Sequence, residues 1–232
     1  MVRSFFFLTT MFLGALLLGL FGWPALFKRE WSIAVSKLWA RTSLGALKLF
    51  CGIDDRVIGG ENVPSGAAVI AAKHQSMWET LRLTVLLPQP AFVLKKELSR
   101  WPVFSWFCRA NGFIFVDRQA GASALRDMTA QARIQSAHGS QIVIFPEGTR
   151  VPPGERVPLQ PGIAALARAL EIPVVPIAHD SGSFWVQPGP RKRPGTITMT
   201  VHPPIEDTSN RRRLMAALEE ALQGPKEVEA HG

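Results

Sequence analysis

The chain has 232 residues, 47% of them apolar and 19% charged, with a formal net charge of +8. That size and balance suit one α/β core with a short appendage and exclude a disordered chain. The two cysteines, Cys51 and Cys108, exclude a disulfide framework or a cysteine-based zinc site and suit a reducing compartment. The positive surplus suits an anionic partner, whether nucleic acid, an acidic membrane surface or a phosphorylated substrate.

Residues 4–27 contain no charged side chain. That is long enough to cross a bilayer's hydrocarbon, which needs about 20 apolar residues. Phe21-Gly22-Trp23-Pro24 follows the apolar run, where a signal peptide would carry a small-x-small cleavage site. A buried soluble helix is the weaker reading, because apolar residues cover every face. Residues 31–50 then read as an amphipathic helix. Lys37, Arg41 and Lys48 share one stripe, Val35, Trp39, Ala46 and Phe50 lie opposite, and Leu44 falls near the basic stripe. Trp23, Trp31 and Trp39 are rings of the kind that settle at a headgroup boundary. Lys28, Arg29, Lys37, Arg41 and Lys48 outnumber the single Arg3 before Pro24. This bias puts the main domain on the cytoplasmic side if the first helix spans, and a monotopic protein on the inner leaflet if it only dips in. Residues 1–52 are expected to be a two-helix membrane anchor; the alternative for the second helix is a cover over the domain's own core.

After Gly52 the pattern changes to short apolar runs alternating with helix-like stretches. Strands are expected at residues 67–72, 91–94, 112–116, 141–145, 172–178 and 196–201. Helices are expected near 77–87, 102–110 and 123–137, over the Ile163, Leu166, Ala167, Leu170 repeat, and over Leu214, Leu218 and Leu222. This alternation predicts an α/β fold over residues 53–223, with a largely parallel or mixed sheet flanked by helices. Residues 224–232 read as a frayed tail. The Arg211-Arg212-Arg213 run opening the last helix opposes the helix dipole and reads as a solvated turn or a lipid-facing patch.

Polar residues collect just after the predicted strands. His74 follows the first, Asp117-Arg118 the third, Pro146-Glu147-Gly148-Thr149-Arg150 the fourth, and Pro176 to Gly182 closes the fifth. In open α/β sheets sites form outside the carboxyl ends of parallel strands, so these windows converge if their strands are parallel. A lone His–acid pair is an ordinary capped helix start, and Arg118 with Glu147 could be a structural ion pair. Five residues on a regular helix separate side chains by about 140°, so His74 is expected before the helix and Glu79 in its first turns. Ser76 is placed as a helix cap, His179-Asp180 reads as a loop pair, and Asp117 as structural. His138, His179 and His202 lack metal-ligand spacing, and no metal site is predicted.

Four blocks occur in order: His74-x4-Glu79, Gly112-Phe-Ile-Phe-Val-Asp117-Arg118, Phe145-Pro-Glu-Gly-Thr-Arg150 and Ile172-Pro-Val-Val-Pro176. Over residues 60–185 they resemble the glycerolipid acyltransferase family, specifically its bacterial 1-acylglycerol-3-phosphate acyltransferases, whose two-helix anchor the N-terminal part also resembles. Two departures stand out. Glu79 occupies the place of the family's usual aspartate, which leaves the His–acid geometry open. Gln160-Pro161-Gly162 stands where the family often has a lysine.

The resemblance implies transfer of an acyl group from an acyl-CoA or acyl carrier protein thioester to the hydroxyl of a lysophospholipid, with no cofactor. His74 would act as general base, steadied by Glu79. Arg118 and Arg150 would bind phosphate, with Gly148 and Thr149 adding backbone approach and a hydroxyl. Glu147 would hold an arginine or touch the acceptor's glycerol. The implied location is the bacterial inner membrane, with the catalytic domain on its cytoplasmic side. Glycerol 3-phosphate or a lyso-ornithine lipid are the alternative acceptors, and a non-catalytic anionic-lipid-binding protein is the rival class. Nucleic acid is not expected, because the arginines form no aromatic-interleaved patch.

Overall fold

The computed structural model describes residues 2–224. The first helix, α1 (Val2–Phe21), leads through a 3-10 turn at Trp23–Phe27 into α2 (Arg29–Cys51). There follow β1 (Ile53–Ile58), β2 (Ala68–Ala72), α3 (Trp78–Leu86), β3 (Pro90–Lys95), α4 (Phe104–Ala110), β4 (Ile114–Val116), α5 (Ala122–Ala137), β5 (Gln141–Ile144), α6 (Gly162–Leu170), β6 (Val174–His179), the short α7 (Ser181–Phe184), β7 (Gly195–Val201) and α8 (Arg211–Gln223). Residues 225–232 of the expected tail lie outside the described residues.

The strands form one seven-stranded sheet in the order β1-β7-β6-β2-β5-β3-β4. β6, β2, β5, β3 and β4 run parallel, while β7 pairs antiparallel with β6 and parallel with β1. The mixed α/β sheet expected from the apolar runs is therefore present. β2 is buried throughout, as a central strand covered on both faces requires. Ala68, Ile70 and Ala72 face a cluster shared with α1, α2 and α3, and Val69 and Ala71 face one shared with α5, α6 and α8.

Two local expectations differ. β1 was not legible, because Ile53-Asp-Asp-Arg-Val-Ile58 carries three charges and lies at the sheet's edge. There the charges find partners: Arg82 Nε donates to Asp55 Oδ2 at 2.7 Å, and Arg56 Nε to Thr198 Oγ1 at 3.0 Å. The strand predicted from residue 112 begins at Ile114, after a turn through Gly112.

Among the described residues α1 is the one helix long and apolar enough to cross a membrane. One side of it is inside the protein. Phe7 is fully buried, with its ring edge-on to Trp185 at 5.2 Å, and Met11 O accepts from Trp39 Nε1 at 3.0 Å. Phe5, Phe6, Phe12, Leu16, Leu20 and Phe21 are exposed. α2 is amphipathic as expected, but it packs along α1 and against α3 and buries Ile33, Ala40, Ala46 and Leu47. It covers part of the domain's core, which is the alternative raised for it above.

Candidate active site

β2 ends at Ala72 and α3 begins at Trp78, leaving a five-residue loop with His74 as its second residue and Glu79 in the helix's first turn. The loop curls back, bringing His74 Nδ1 to 2.9 Å from Glu79 Oε1. The same carboxylate accepts from the Gln75 and Ser76 backbone N–H groups at 2.9 Å each and from Ser76 Oγ at 2.8 Å, while Ser76 Oγ accepts from Trp78 N at 3.0 Å. This is a variant of the capping box, in which a serine and a glutamate three residues on satisfy each other's part of the helix start. Glu79 thus caps α3 and orients the imidazole at once. An ionised carboxylate only accepts, so the proton between them sits on Nδ1, which in the neutral ring leaves the lone pair on Nε2.

The turn after β5 holds the loop from the other side. Phe145 stacks on the His74 ring at 4.2 Å with an 18° interplanar angle. The His74 backbone N–H donates to Glu147 Oε2 at 2.7 Å, and His74 O accepts from Val151 N at 2.8 Å. The imidazole is therefore fixed in its plane by Glu79, on its face by Phe145 and along its backbone by residues 147 and 151.

Glu79 is fully buried. Burial alone would raise its pKa, but the charge of the His179 ring, the hydrogen bond from His74 and the Ser76 N–H outweigh it and hold it at about 2. Glu147, also buried, moves the other way. Burial raises it to about 7, against the pull of the His74 N–H and Lys73. One carboxylate of the site stays ionised while the second titrates near neutrality.

Four residues that matter here were not singled out for the site from sequence. His179, read as half of a loop pair, is buried beneath Glu79, with Nε2 3.0 Å from Lys73 O and 4.0 Å from Glu79 Oε2. Burial lowers its pKa, partly offset by Glu79. Ser181 Oγ donates to Glu79 Oε2 at 3.0 Å, and Gln75 Oε1 accepts from Gly182 N at 3.1 Å. Phe145 completes the set. Its place in the hexapeptide was a signal, whereas His179, Ser181 and Gln75 carried only proximity to strand ends.

Arg118 follows β4 and donates through Nη1 to the carbonyl of Gly148. Gly148 has φ of 73°, a conformation open to glycine at little cost, and this turn is what presents its carbonyl. The arginine expected to be held by Glu147 is not: Glu147 Oε2 is taken by the His74 N–H, and among the described residues no arginine pairs with it. Arg118, Glu147, Gly148 and Thr149 line a cavity of about 510 Å³ whose other walls include the apolar Met128 and Ile163. Arg150 is exposed on the same turn and does not line it. Asp117 pairs with Lys96 and caps the following turn through Gln119 N. Thus His74, Glu79, Glu147, Gly148 and Arg118 are joined by consecutive contacts, and Arg150 stands apart.

A family model described as Acyltransferase matches residues 55–180. The chain is 35% identical over 185 residues to the 1-acyl-sn-glycerol-3-phosphate acyltransferase of Pseudomonas aeruginosa, covering 80% of this chain and 72% of that protein. It is 30% identical to the protein of the same name from Saccharomyces cerevisiae, over 64% of this chain and 50% of that one. The fold matches the crystal structure of the 1-acyl-sn-glycerophosphate (LPA) acyltransferase PlsC from Thermotoga maritima with a TM-score of 0.80 at 21% identity, over 100% of this chain and 98% of that one.

Proposed function

The chain belongs to the acyltransferase family, and on that premise we propose that it moves a fatty acyl group from a thioester to the free hydroxyl of 1-acylglycerol 3-phosphate, giving phosphatidate. The observation that carries this reading is the imidazole of His74, held through Nδ1 by a buried, ionised Glu79 and tied through Glu147 and Gly148 to Arg118.

A hydroxyl is a weak nucleophile at neutral pH. His74 Nε2 takes its proton as the oxygen attacks the thioester carbonyl, and Glu79 stabilises the imidazolium that forms. The tetrahedral intermediate collapses, the carbon–sulfur bond breaks, and the imidazolium returns its proton to the departing thiolate. Arg118, at the rim of the cavity, binds the acceptor's phosphate through parallel N–H groups. Thr149 and the Gly148 backbone lie beside it, and Arg150, outside the cavity, meets the phosphate's solvent side. Glu147 keeps the base in place from beneath.

The protein sits on the cytoplasmic leaflet of the bacterial inner membrane as a monotopic enzyme. α1 is docked along its length, at Phe7 against Trp185, at Met11 against Trp39 and at Gly19 against Val103. Crossing the bilayer would strip those contacts, whereas lying in the interface buries only its exposed apolar side.

The test is turnover of purified protein in vesicles with lysophosphatidate, glycerol 3-phosphate and a lyso-ornithine lipid, each with acyl-CoA and with acyl carrier protein as donor. Lysophosphatidate is expected to be acylated fastest, and His74→Ala to abolish it. An unchanged His74→Ala variant would overturn the reading.

A further inference from the structure

Between β3 and α4 the chain makes a 3-10 turn at Lys96–Arg100 and then a tight reversal before Phe104. Val103 in that reversal has φ of 62° and ψ of −61°, a conformation a β-branched residue rarely holds. Its side chain packs on α1 at Gly19, where any Cβ would come within 2.3 Å of Val103 Cγ1. Only glycine allows this approach. With Val103 seated against α1, the residues around it stand in solvent. Trp101 is 62% exposed, Trp106 51% and Phe104 38%, and Trp101 and Phe104 lie edge to face at 6.4 Å. α4 also packs against the 3-10 turn at Trp23–Phe27 and against α2, and on that neighbouring segment Phe21, Trp23 and Phe27 are exposed as well.

We propose that residues 101–106 form a second membrane-contacting surface, a rigid aromatic wedge continuous with α1 that enters the headgroup boundary of an anionic bilayer. This rests on the membrane reading of α1 given above. Continuity is one argument: through Val103 the wedge abuts the C-terminal end of the apolar helix at Gly19, and α4 packs on the turn that follows it. Composition is the second, because tryptophan rings partition to the membrane–water boundary. Charge is the third. Within residues 95–109, Lys95, Lys96, Arg100 and Arg109 stand against one acid, Glu97; all four cations are exposed, and although Lys96 pairs with Asp117, anionic headgroups attract the remaining three. Lys96, in the turn that precedes the wedge, lies with Nζ 3.3 Å from Asp117 Oδ2, one residue before Arg118.

The experiment uses the full chain, labelled at Trp106→Cys, and separately at Trp101→Cys, with an environment-sensitive fluorophore. It is bound to vesicles of phosphatidylglycerol and phosphatidylethanolamine carrying nitroxide-labelled lipid. Both native cysteines are buried. Phe12→Cys on α1 reports the anchor, and Ile134→Cys, exposed on α5, reports a face that packs toward α6. Blue shift and quenching at residues 12, 101 and 106, with none at 134, are expected. Quenching at 12 with aqueous emission at 101 and 106 overturns the wedge and leaves the anchor standing. Aqueous emission at all positions overturns the anchor reading and the wedge with it. Quenching at 134 equal to that at 106 overturns an oriented wedge.

Discussion

The backbone N–H of His74 donates to Glu147 Oε2 at 2.7 Å, across 73 residues of sequence. Two loops from two neighbouring parallel strands, β2 and β5, are locked together by that bond, and the position of His74 depends on it. On the proposed reading, in which His74 is the base, Glu147 acts through it as a positioning residue. In Glu147→Ala the loop is free to shift, and a misplacement of about 1 Å can cost roughly 100-fold in rate. Glu147→Gln retains an acceptor for the N–H and is expected to keep most of the turnover. Steady-state kcat for both variants with one acceptor checks this; equal losses in the two would show that charge, not position, is what matters.

Glu147 also sets a pH dependence. Its folded pKa of about 7 lies above the ordinary 4.5, so between those values the folded state binds more protons than the unfolded one. The stability this contributes is full below about 4.5 and is lost as pH rises through about 7. Thermal midpoints measured from pH 5 to pH 8 are expected to fall more steeply for wild type than for Glu147→Gln.

Glu79 behaves in the opposite sense. Its pKa is depressed to about 2, so its contribution is present above about 4.5 and disappears as pH falls toward 2. Glu79→Gln keeps the shape but removes the charge that supports the imidazolium. By analogy with a triad acid replaced by its amide, kcat is expected to fall on the order of 10³–10⁴-fold. Glu79→Asp shortens the arm by about 1.5 Å, one carbon–carbon bond. It stretches both the His74 contact and the helix cap, so activity and thermal midpoint should drop together, whereas Glu79→Gln loses mainly activity.

Ser181 is one of the donors on buried Glu79 and comes from beyond β6. Removing one partner of a buried hydrogen bond typically costs about 1–3 kcal/mol. Ser181→Ala is expected to lose stability in that range and to raise the acidic limb of the kcat–pH profile, since Glu79 becomes easier to protonate. A merely structural role would lower the thermal midpoint and leave the profile in place.

Arg118 offers a kinetic separation. Arg118→Ala should raise KM for lysophosphatidate by about 10-fold or more, as expected from losing a charge-assisted hydrogen bond of roughly 1.5–3 kcal/mol. A phosphate-free lyso-lipid acceptor should be nearly indifferent. An equal effect on both acceptors would assign Arg118 to holding the Gly148 turn alone.

Much of this molecule could be read from local patterns, because apolar period and turn residues act over a few neighbours. The fully apolar residues 68–72 announced a central strand, residues 162–170 a helix, and the ordered blocks around His74, Arg118 and Glu147 announced chemistry at strand ends. What the sequence could not hold was anything decided by adjacency in the sheet. β2 lies between β5 and β6, and that order alone sets Phe145 and Glu147 on one side of His74 and His179 and Ser181 on the other. Each of these contacts spans 70 residues or more, so no local pattern encodes it. The same holds at the N-terminus. Hydropathy described an all-apolar helix, but which face enters the core was chosen by where Trp185, Trp39 and Val103 came to rest. Short-range sterics and hydrophobicity wrote the elements; the strand order of the sheet decided which side chains would meet.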